Sequence, residues 1–170
     1  MTGQVLVQQF FNYPMRPFGV RELSRTLHLN TKTIMKQLQQ LRKQQVIVKV
    51  HERGRFPHYE ANRLSRQYKI VKSNALMNEI AQSGLFDFLE QELRPKAIVV
   101  FGSVQKGTYL KHSDIDIFIQ GREKKIDLSA FEQKLGKDIQ LLFEEDLNNL
   151  STGLRNNIIN GNTISGALQP

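Results

Sequence analysis

Apolar residues recur three and four positions apart in the first third of the chain, which is the spacing of one helix face. The pattern predicts a first helix that ends before Pro14, because proline cannot continue a helix, and a second helix over Val20–Leu27. A third helix is predicted over Thr31–Lys43, where Asn30 or Thr31 can cap the start. Three short helices are therefore expected in this region.

Segments of different periodicity follow the third helix. Residues 46–50 are rich in β-branched side chains and His58–Ala61 can return as the partner strand, which predicts a β-hairpin. Residues 65–83 and Leu85–Leu93 then return to helical spacing, and Gly84 separates them. The hairpin is thus expected to lead into a helical bridge.

The last half of the chain alternates short apolar runs with further helical segments. The predicted strands are 97–101, 113–119 and 138–143, and the predicted helices are 128–135, 146–150 and 154–159. This order predicts an α/β (α+β) chain whose second part is a small mixed sheet flanked by helices. The expected domains are 1–64 and 85–170, with 65–84 as a helical linker.

Charge is unevenly distributed along the chain. Residues 1–72 carry 14 Lys and Arg against 3 Asp and Glu, a net charge of +11, whereas residues 73–170 carry 10 against 13, a net charge of −3. A strongly basic surface attracts a polyanion because binding releases counterions from its phosphates. A surface that only improves solubility usually mixes both signs. The first part is therefore expected to bind nucleic acid.

Residues 21–24, Arg-Glu-Leu-Ser, and the elements that follow them as far as the hairpin resemble winged helix-turn-helix regulators. The resemblance implies that the third helix enters the major groove of double-stranded DNA and that the hairpin, or wing, contacts the backbone or minor groove. Lys and Gln side chains also suit phosphates and base edges. The expected DNA-binding residues are Lys32, Thr33, Lys36, Gln37, Lys43, Arg53 and Arg55. A protein-interaction module is the alternative, against which the net charge argues.

The composition excludes sites built from cysteine and argues against a membrane-spanning protein. The chain has no cysteine, which excludes disulfides and thiolate zinc sites. No apolar run approaches the roughly 20 residues that a membrane span needs. A cytoplasmic protein is expected.

The strongest chemical signal follows the apolar run at residues 97–101. Gly102 allows a sharp turn that leaves backbone N–H groups free to hold phosphate oxygens, and Ser103 adds a hydroxyl donor. Asp114 and Asp116 are two residues apart in an extended segment, so both carboxylates point to one face. Adjacent carboxylates repel each other unless a cation lies between them. This combination suits Mg²⁺-assisted phosphoryl chemistry.

The run GSVQKGTYLKHSDID, residues 102–116, resembles the G-S-x-x-x-G-x5-S-D-x-D signature of the polymerase-β nucleotidyltransferase superfamily, in its minimal branch. The resemblance covers about residues 85–168. It implies transfer of a nucleoside monophosphate from an NTP, with ATP the expected nucleotide, by means of Mg²⁺ or Mn²⁺. It assigns nucleotide binding to Gly102, Ser103, Gly107 and Ser113, and metal binding to Asp114 and Asp116.

The family supplies a third carboxylate from a neighbouring strand, here the predicted strand 138–143. Gln140 falls at that position, and it offers a carbonyl oxygen without a charge. Asp138 faces the same side but lies about 6.6 Å further along the strand. Either Asp138 completes the catalytic set through a shifted register, or the metal site has two carboxylates with Gln140 beside them. Whether the domain is an active enzyme stays open at this stage.

The leading interpretation is a DNA-binding transcriptional regulator fused to a nucleotidyltransferase-type domain. The resemblance implies a small helical, toxin-like protein partner as the acceptor, and winged regulators commonly form homodimers. One alternative is a catalytically degenerate regulator whose second domain only senses a nucleotide or mediates assembly. The other is a nucleotidyltransferase that acts on RNA or on a small molecule.

Overall fold

The computed structural model describes residues 2–54 and 56–169. The chain divides into two compact units at the junction between Lys72 and Ser73. Below, they are called the first unit and the second unit, and each is described by itself.

The first unit contains three helices followed by a hairpin. Its elements are α1 (Thr2–Asn12), α2 (Val20–Leu27), α3 (Thr31–Lys43), β1 (Ile47–Val50), β2 (His58–Ala61) and the first turns of α4 (Arg66–Ser83). β1 and β2 pair antiparallel, with Ile47 opposite Ala61. The Oδ1 atom of Asn30 accepts a hydrogen bond of 2.8 Å from the backbone N–H of Thr33, which caps the start of α3.

The core of the first unit is formed by apolar side chains from all three helices and the hairpin. Fully buried members are Leu6, Phe10, Phe11, Leu23, Ile34, Leu38 and Val46. The first turns of α4 form hydrogen bonds to the C-terminal end of α1. The Tyr68 hydroxyl donates to the carbonyl of Phe10 at 3.0 Å, and the Lys72 Nζ donates to that of Phe11 at 2.9 Å. The last carbonyls of a helix have no partner within the helix, and these two bonds satisfy a pair of them.

The second unit contains a four-stranded mixed sheet with helices on both faces. Besides the rest of α4 it comprises α5 (Leu85–Leu93), β3 (Ala97–Val100), α6 (Gly102–Lys106), β4 (Ile115–Gln120), α7 (Ser129–Leu135), β5 (Ile139–Glu144), a 3₁₀ helix (Leu147–Asn149), α8 (Thr152–Ile159) and β6 (Asn162–Gly166). The strand order is β5-β4-β3-β6. β4 and β5 are parallel, and the other two pairs are antiparallel.

Both faces of this sheet are apolar, because the central strands are covered on each side. On one face Ile98, Ile115 and Ile117 pack with apolar residues of α4, α5 and α7. On the other face Val99 and Phe118 pack against the 3₁₀ helix and α8. This second face is also the face of Asp116, since alternate residues of a strand point the same way.

The structure confirms the predicted mixed α+β class, and three local predictions needed correction. The segment after residue 101 is the five-residue helix α6, and β6 is a strand that the sequence pattern did not predict. Only Leu147–Asn149 of the predicted helix 146–150 is helical, and it is a 3₁₀ turn. Within the described residues, no helix combines the length and apolar character needed to cross a membrane.

Candidate functional site

Three chain segments meet at one edge of the sheet in the second unit. β3 ends at Val100 and leads into α6, while the neighbouring strand β4 starts at Ile115. β5 runs parallel to β4, so its first residues lie at the same edge. The edge therefore brings together the residues after β3 and those at the start of β4 and β5.

Gly102 lies directly against Asp116. Its φ angle is +70°, a left-handed conformation that favours glycine, and a Cβ built on it would overlap the Oδ2 atom of Asp116 and lie 3.1 Å from Cγ. The backbone N–H of Phe101 donates to the carbonyl of Asp116 at 3.1 Å and joins the same two segments. Among the described residues, no side chain caps the start of α6. The carboxylate thus sits beside the first backbone groups of this helix.

The electrostatics of the site follow from burial and from the pair of aspartates. Asp114 and Asp116 are both half-buried. Burial raises the pKa of Asp116 above its ordinary value, and the neighbouring charge of Asp114 raises it further. The ionised pair is therefore costly on its own, and a bound cation would reduce that cost.

Gly107 and Ser113 shape the loop between α6 and β4. Gly107 ends α6 at φ +64° and is buried. The Oγ atom of Ser113 accepts a bond of 2.8 Å from the N–H of Leu110, and the N–H of Ser113 donates back to the Leu110 carbonyl at 3.1 Å. The Ser113 hydroxyl is therefore engaged in closing the turn. Ser103 is half-buried at the start of α6, where its carbonyl accepts from the N–H of Thr108 at 3.0 Å.

Gln140 is the residue of β5 that lies opposite Asp116 in the parallel register, and its side chain is exposed. Asp138 immediately precedes β5, and its carbonyl accepts a 2.9 Å bond from the N–H of Ile115. Across the described part of the chain, no group of three His, Cys, Asp or Glu residues is arranged to hold a metal ion. The strand register thus places Gln140 level with Asp116. Asp138 does not form a metal-binding group of three carboxylates with Asp114 and Asp116.

Lys137 is a residue of this region that sequence reasoning missed. Its Nζ atom donates to the carbonyls of Leu110 and Lys111, each at 3.0 Å, and to that of Ser113 at 3.1 Å. Burial lowers the pKa of Lys137, while the carboxylates of Glu79 and Asp114 act in the opposite direction. A single lysine between a helix and a strand gives no signal in a sequence, because its partners are backbone atoms distant in the chain.

Comparison with known proteins identifies the region that contains this site. Residues 83–161 match the family model of the nucleotidyltransferase domain. The matched residues include Gly102, Asp114, Asp116 and Gln140. No curated protein and no solved structure matches the chain significantly.

The expected DNA-binding residues lie outside the matched region, in the first unit. Lys32, Lys36 and Lys43 are exposed on α3, and Arg53 is exposed in the turn before β2. Arg55 is outside the described residues.

The other two expected residues of α3 are half-buried. The backbone N–H of Thr33 bonds to the cap residue Asn30. The Oε1 atom of Gln37 is buried and has no hydrogen-bond partner among the described residues.

Proposed function

We propose that the protein binds a magnesium–nucleoside triphosphate complex in its second unit and transfers the nucleoside monophosphate to a protein acceptor, while its first unit binds double-stranded DNA. The observation that carries the nucleotide proposal is the close approach of Asp116 to Gly102. This contact joins a carboxylate pair to the start of a helix, and the first N–H groups of a helix suit phosphate oxygens. The nucleotidyltransferase family match supports the same reading.

The residues present fit a divalent cation. Mg²⁺ prefers oxygen ligands, and carboxylate oxygens are supplied by Asp116 in β4 and by Asp114, which directly precedes that strand. Burial raises the pKa of Asp116 and the neighbouring charge of Asp114 raises it further, and a bound cation would favour the ionised form. When bound, the ion would neutralise phosphate charge and polarise the phosphoryl group. Gly102 and Ser103 would hold the phosphate oxygens through main-chain N–H groups and the serine hydroxyl.

Calorimetric titration with ATP and then the other NTPs, in the presence of Mg²⁺ or Mn²⁺, tests this proposal. Binding is expected for the wild type and should be lost in Asp116→Ala and in Asp114→Ala. Asp87→Ala is the matched control, since Asp87 is an exposed aspartate of α5 in the same unit. Equal affinity in the wild type and both site variants would contradict the proposal.

A nucleotide sensor is the second candidate function, and Gln140 favours it. A glutamine level with Asp116 provides no third negative charge and cannot accept a proton from the acceptor. Radiolabelled NTP incubated with the protein and its co-purifying partners separates the two candidates. Label transferred to a small helical partner supports the transferase, whereas tight binding without transfer supports the sensor.

For the first unit, we propose that α3 enters the major groove and that the hairpin acts as the wing of a dimeric winged helix-turn-helix regulator. The net charge of +11 over residues 1–72 and the exposed lysines of α3 support DNA binding. Binding to duplex DNA, single-stranded DNA and tRNA should be compared at several salt concentrations. A preference for tRNA over every duplex would instead indicate a transferase that grips an RNA substrate.

A further inference from the structure

One side chain that is not part of the loop between α6 and β4 holds this loop through hydrogen bonds. Lys137 follows α7, and its Nζ atom lies within hydrogen-bond distance of three backbone carbonyls of the loop, those of Leu110, Lys111 and Ser113. The same Nζ lies 5.2 Å from the centre of the Tyr109 ring. Four residues of one loop thus converge on a single ammonium group.

The number of partners matches the chemistry of a lysine. An ammonium group has three N–H donors and no acceptor, and three carbonyl oxygens surround it here. Without Lys137 these three carbonyls would lose a charge-assisted partner, and the loss is most costly at Ser113, whose bond is partly buried, since water can reach the carbonyls of the exposed residues Leu110 and Lys111. The ammonium group therefore stabilises one particular conformation of the loop.

That conformation determines where Asp114 lies. Asp114 directly follows Ser113, the last residue bound by Lys137. On its other side, the N–H of Ile115 bonds to the carbonyl of Asp138, the residue after Lys137. Asp114 is therefore held on both sides by the segment 137–138, whereas Asp116 is positioned within β4 and against Gly102.

We infer that Lys137 is a positioning residue for the nucleotide site: it holds the loop that precedes Asp114, and the affinity for the magnesium–nucleotide complex depends on this contact. The inference rests on the proposed function, because it concerns the same carboxylate pair. Residues that orient the ligands of a metal typically contribute about 10- to 100-fold to metal affinity or activity.

The test compares Lys137→Ala and Lys137→Met with Lys134→Ala. Lys134 is the matched control, because it is a lysine of α7 that also donates to a backbone carbonyl, that of Ser83 at 3.0 Å. Calorimetry with Mg²⁺ and ATP should show about 10- to 100-fold weaker binding for both Lys137 variants. Lys134→Ala should bind like the wild type. Amide hydrogen exchange at residues 110–114 should accelerate only in the Lys137 variants.

Rescue by a small amine distinguishes positioning from general destabilisation. A cavity of about 350 Å³ lined by His112, Ser113, Lys137 and Asp138 adjoins the loop, so a small cation can reach the space left by Lys137→Ala. Methylammonium should restore nucleotide affinity in that variant, because it supplies N–H donors. Tetramethylammonium should not, since it has none. Methylammonium should also fail with Lys137→Met, whose side chain fills the space.

Each result of these binding and rescue experiments either supports or overturns the inference about Lys137. Wild-type affinity in the Lys137 variants would overturn it and leave the nucleotide proposal standing. A loss of affinity in Lys137→Ala that methylammonium does not restore would assign the effect to destabilisation and would also overturn it. If Lys137→Ala fails to fold, normal binding by Lys137→Met overturns it and weakened binding with a wild-type melting temperature supports it. A wild type that binds no nucleotide would overturn both proposals together.

Discussion

Replacing Gly102 with alanine should destabilise the second unit for two separable reasons. The first is the backbone, because φ is +70° at this position and an L-residue with a Cβ is strained there. The second is the contact with Asp116, whose Cγ would lie 3.1 Å from the new Cβ and whose Oδ2 would overlap it. The Asp116 side chain would have to rotate away from its present position.

The size of each effect follows from the geometry. The left-handed conformation costs a residue with a Cβ about 1–2 kcal/mol. Turning the Asp116 side chain some 30° from its preferred rotamer adds about 0.5–1.5 kcal/mol. Gly102→Ala should therefore cost about 1.5–3.5 kcal/mol in the free energy of unfolding. For a domain of this size each 1 kcal/mol lowers the melting temperature by about 4–8 °C.

Gly136→Ala separates the two effects. Gly136 ends α7 at φ +62°, and a Cβ built there would meet nothing within 4 Å. It should cost only the backbone strain of about 1–2 kcal/mol. In an Asp116→Ala background, Gly102→Ala should likewise cost only this amount, because the overlapping carboxylate is gone.

Differential scanning calorimetry of the whole chain, without nucleotide, provides the measurement, and it can resolve the two units where they unfold separately. The reasoning is refuted if Gly102→Ala is no more destabilising than Gly136→Ala. It is also refuted if removing the Asp116 carboxylate leaves the cost of Gly102→Ala unchanged. In the first case the contact contributes nothing, and in the second some other neighbour of Gly102 is responsible.

Three further changes test the charges of the molecule. Because the pKa of Asp116 is raised in the folded chain, its contribution to stability is largest below its ordinary pKa and is lost as the pH rises through the raised value. Without metal, Asp116→Asn should therefore raise the melting temperature more at pH 7 than at pH 4, and an equal change in melting temperature at both pH values would contradict this. Gln140→Asp should strengthen Mg²⁺ binding and increase label transfer, whereas weaker Mg²⁺ binding would mean that Gln140 does not face the ion. Lys36→Ala should reduce the slope of log K against log salt for duplex DNA by about 0.9, whereas Lys125→Ala, at an exposed lysine of the second unit, should not change it.

The helices and strands that could be predicted from the sequence are those with strong local signals. α3 begins and ends where predicted, because Asn30 caps its start and its apolar residues keep one helical face. α6 and β6 were missed because each has five residues, too few to show a period. β6 is also half-exposed and contains Ser, Thr and Asn, so nothing in its composition marks it as part of a sheet.

The candidate site was predictable as a set of residues, and its geometry was not. The spacing of Asp114 and Asp116 indicated two carboxylates on one face, and the apolar alignment of strand 138–143 put Gln140 level with Asp116, as the register has it. The contact between Gly102 and Asp116 depends on the antiparallel pairing of β3 with β4, which no local pattern encodes. The three carbonyl partners of Lys137 likewise come together only in the folded chain.

The two hydrogen bonds from α4 to the end of α1 bear on how the chain can be divided for experiments. Tyr68 and Lys72 lie beyond residue 64, where the sequence suggested that the first domain ends. A fragment cut at that position would leave the carbonyls of Phe10 and Phe11 without these donors and would remove the aromatic contact between Phe11 and Tyr68, whose ring centres are 5.7 Å apart. A fragment made to test the proposed DNA binding should therefore extend at least through Lys72, because a shorter one would lose these contacts whether or not the first unit binds DNA.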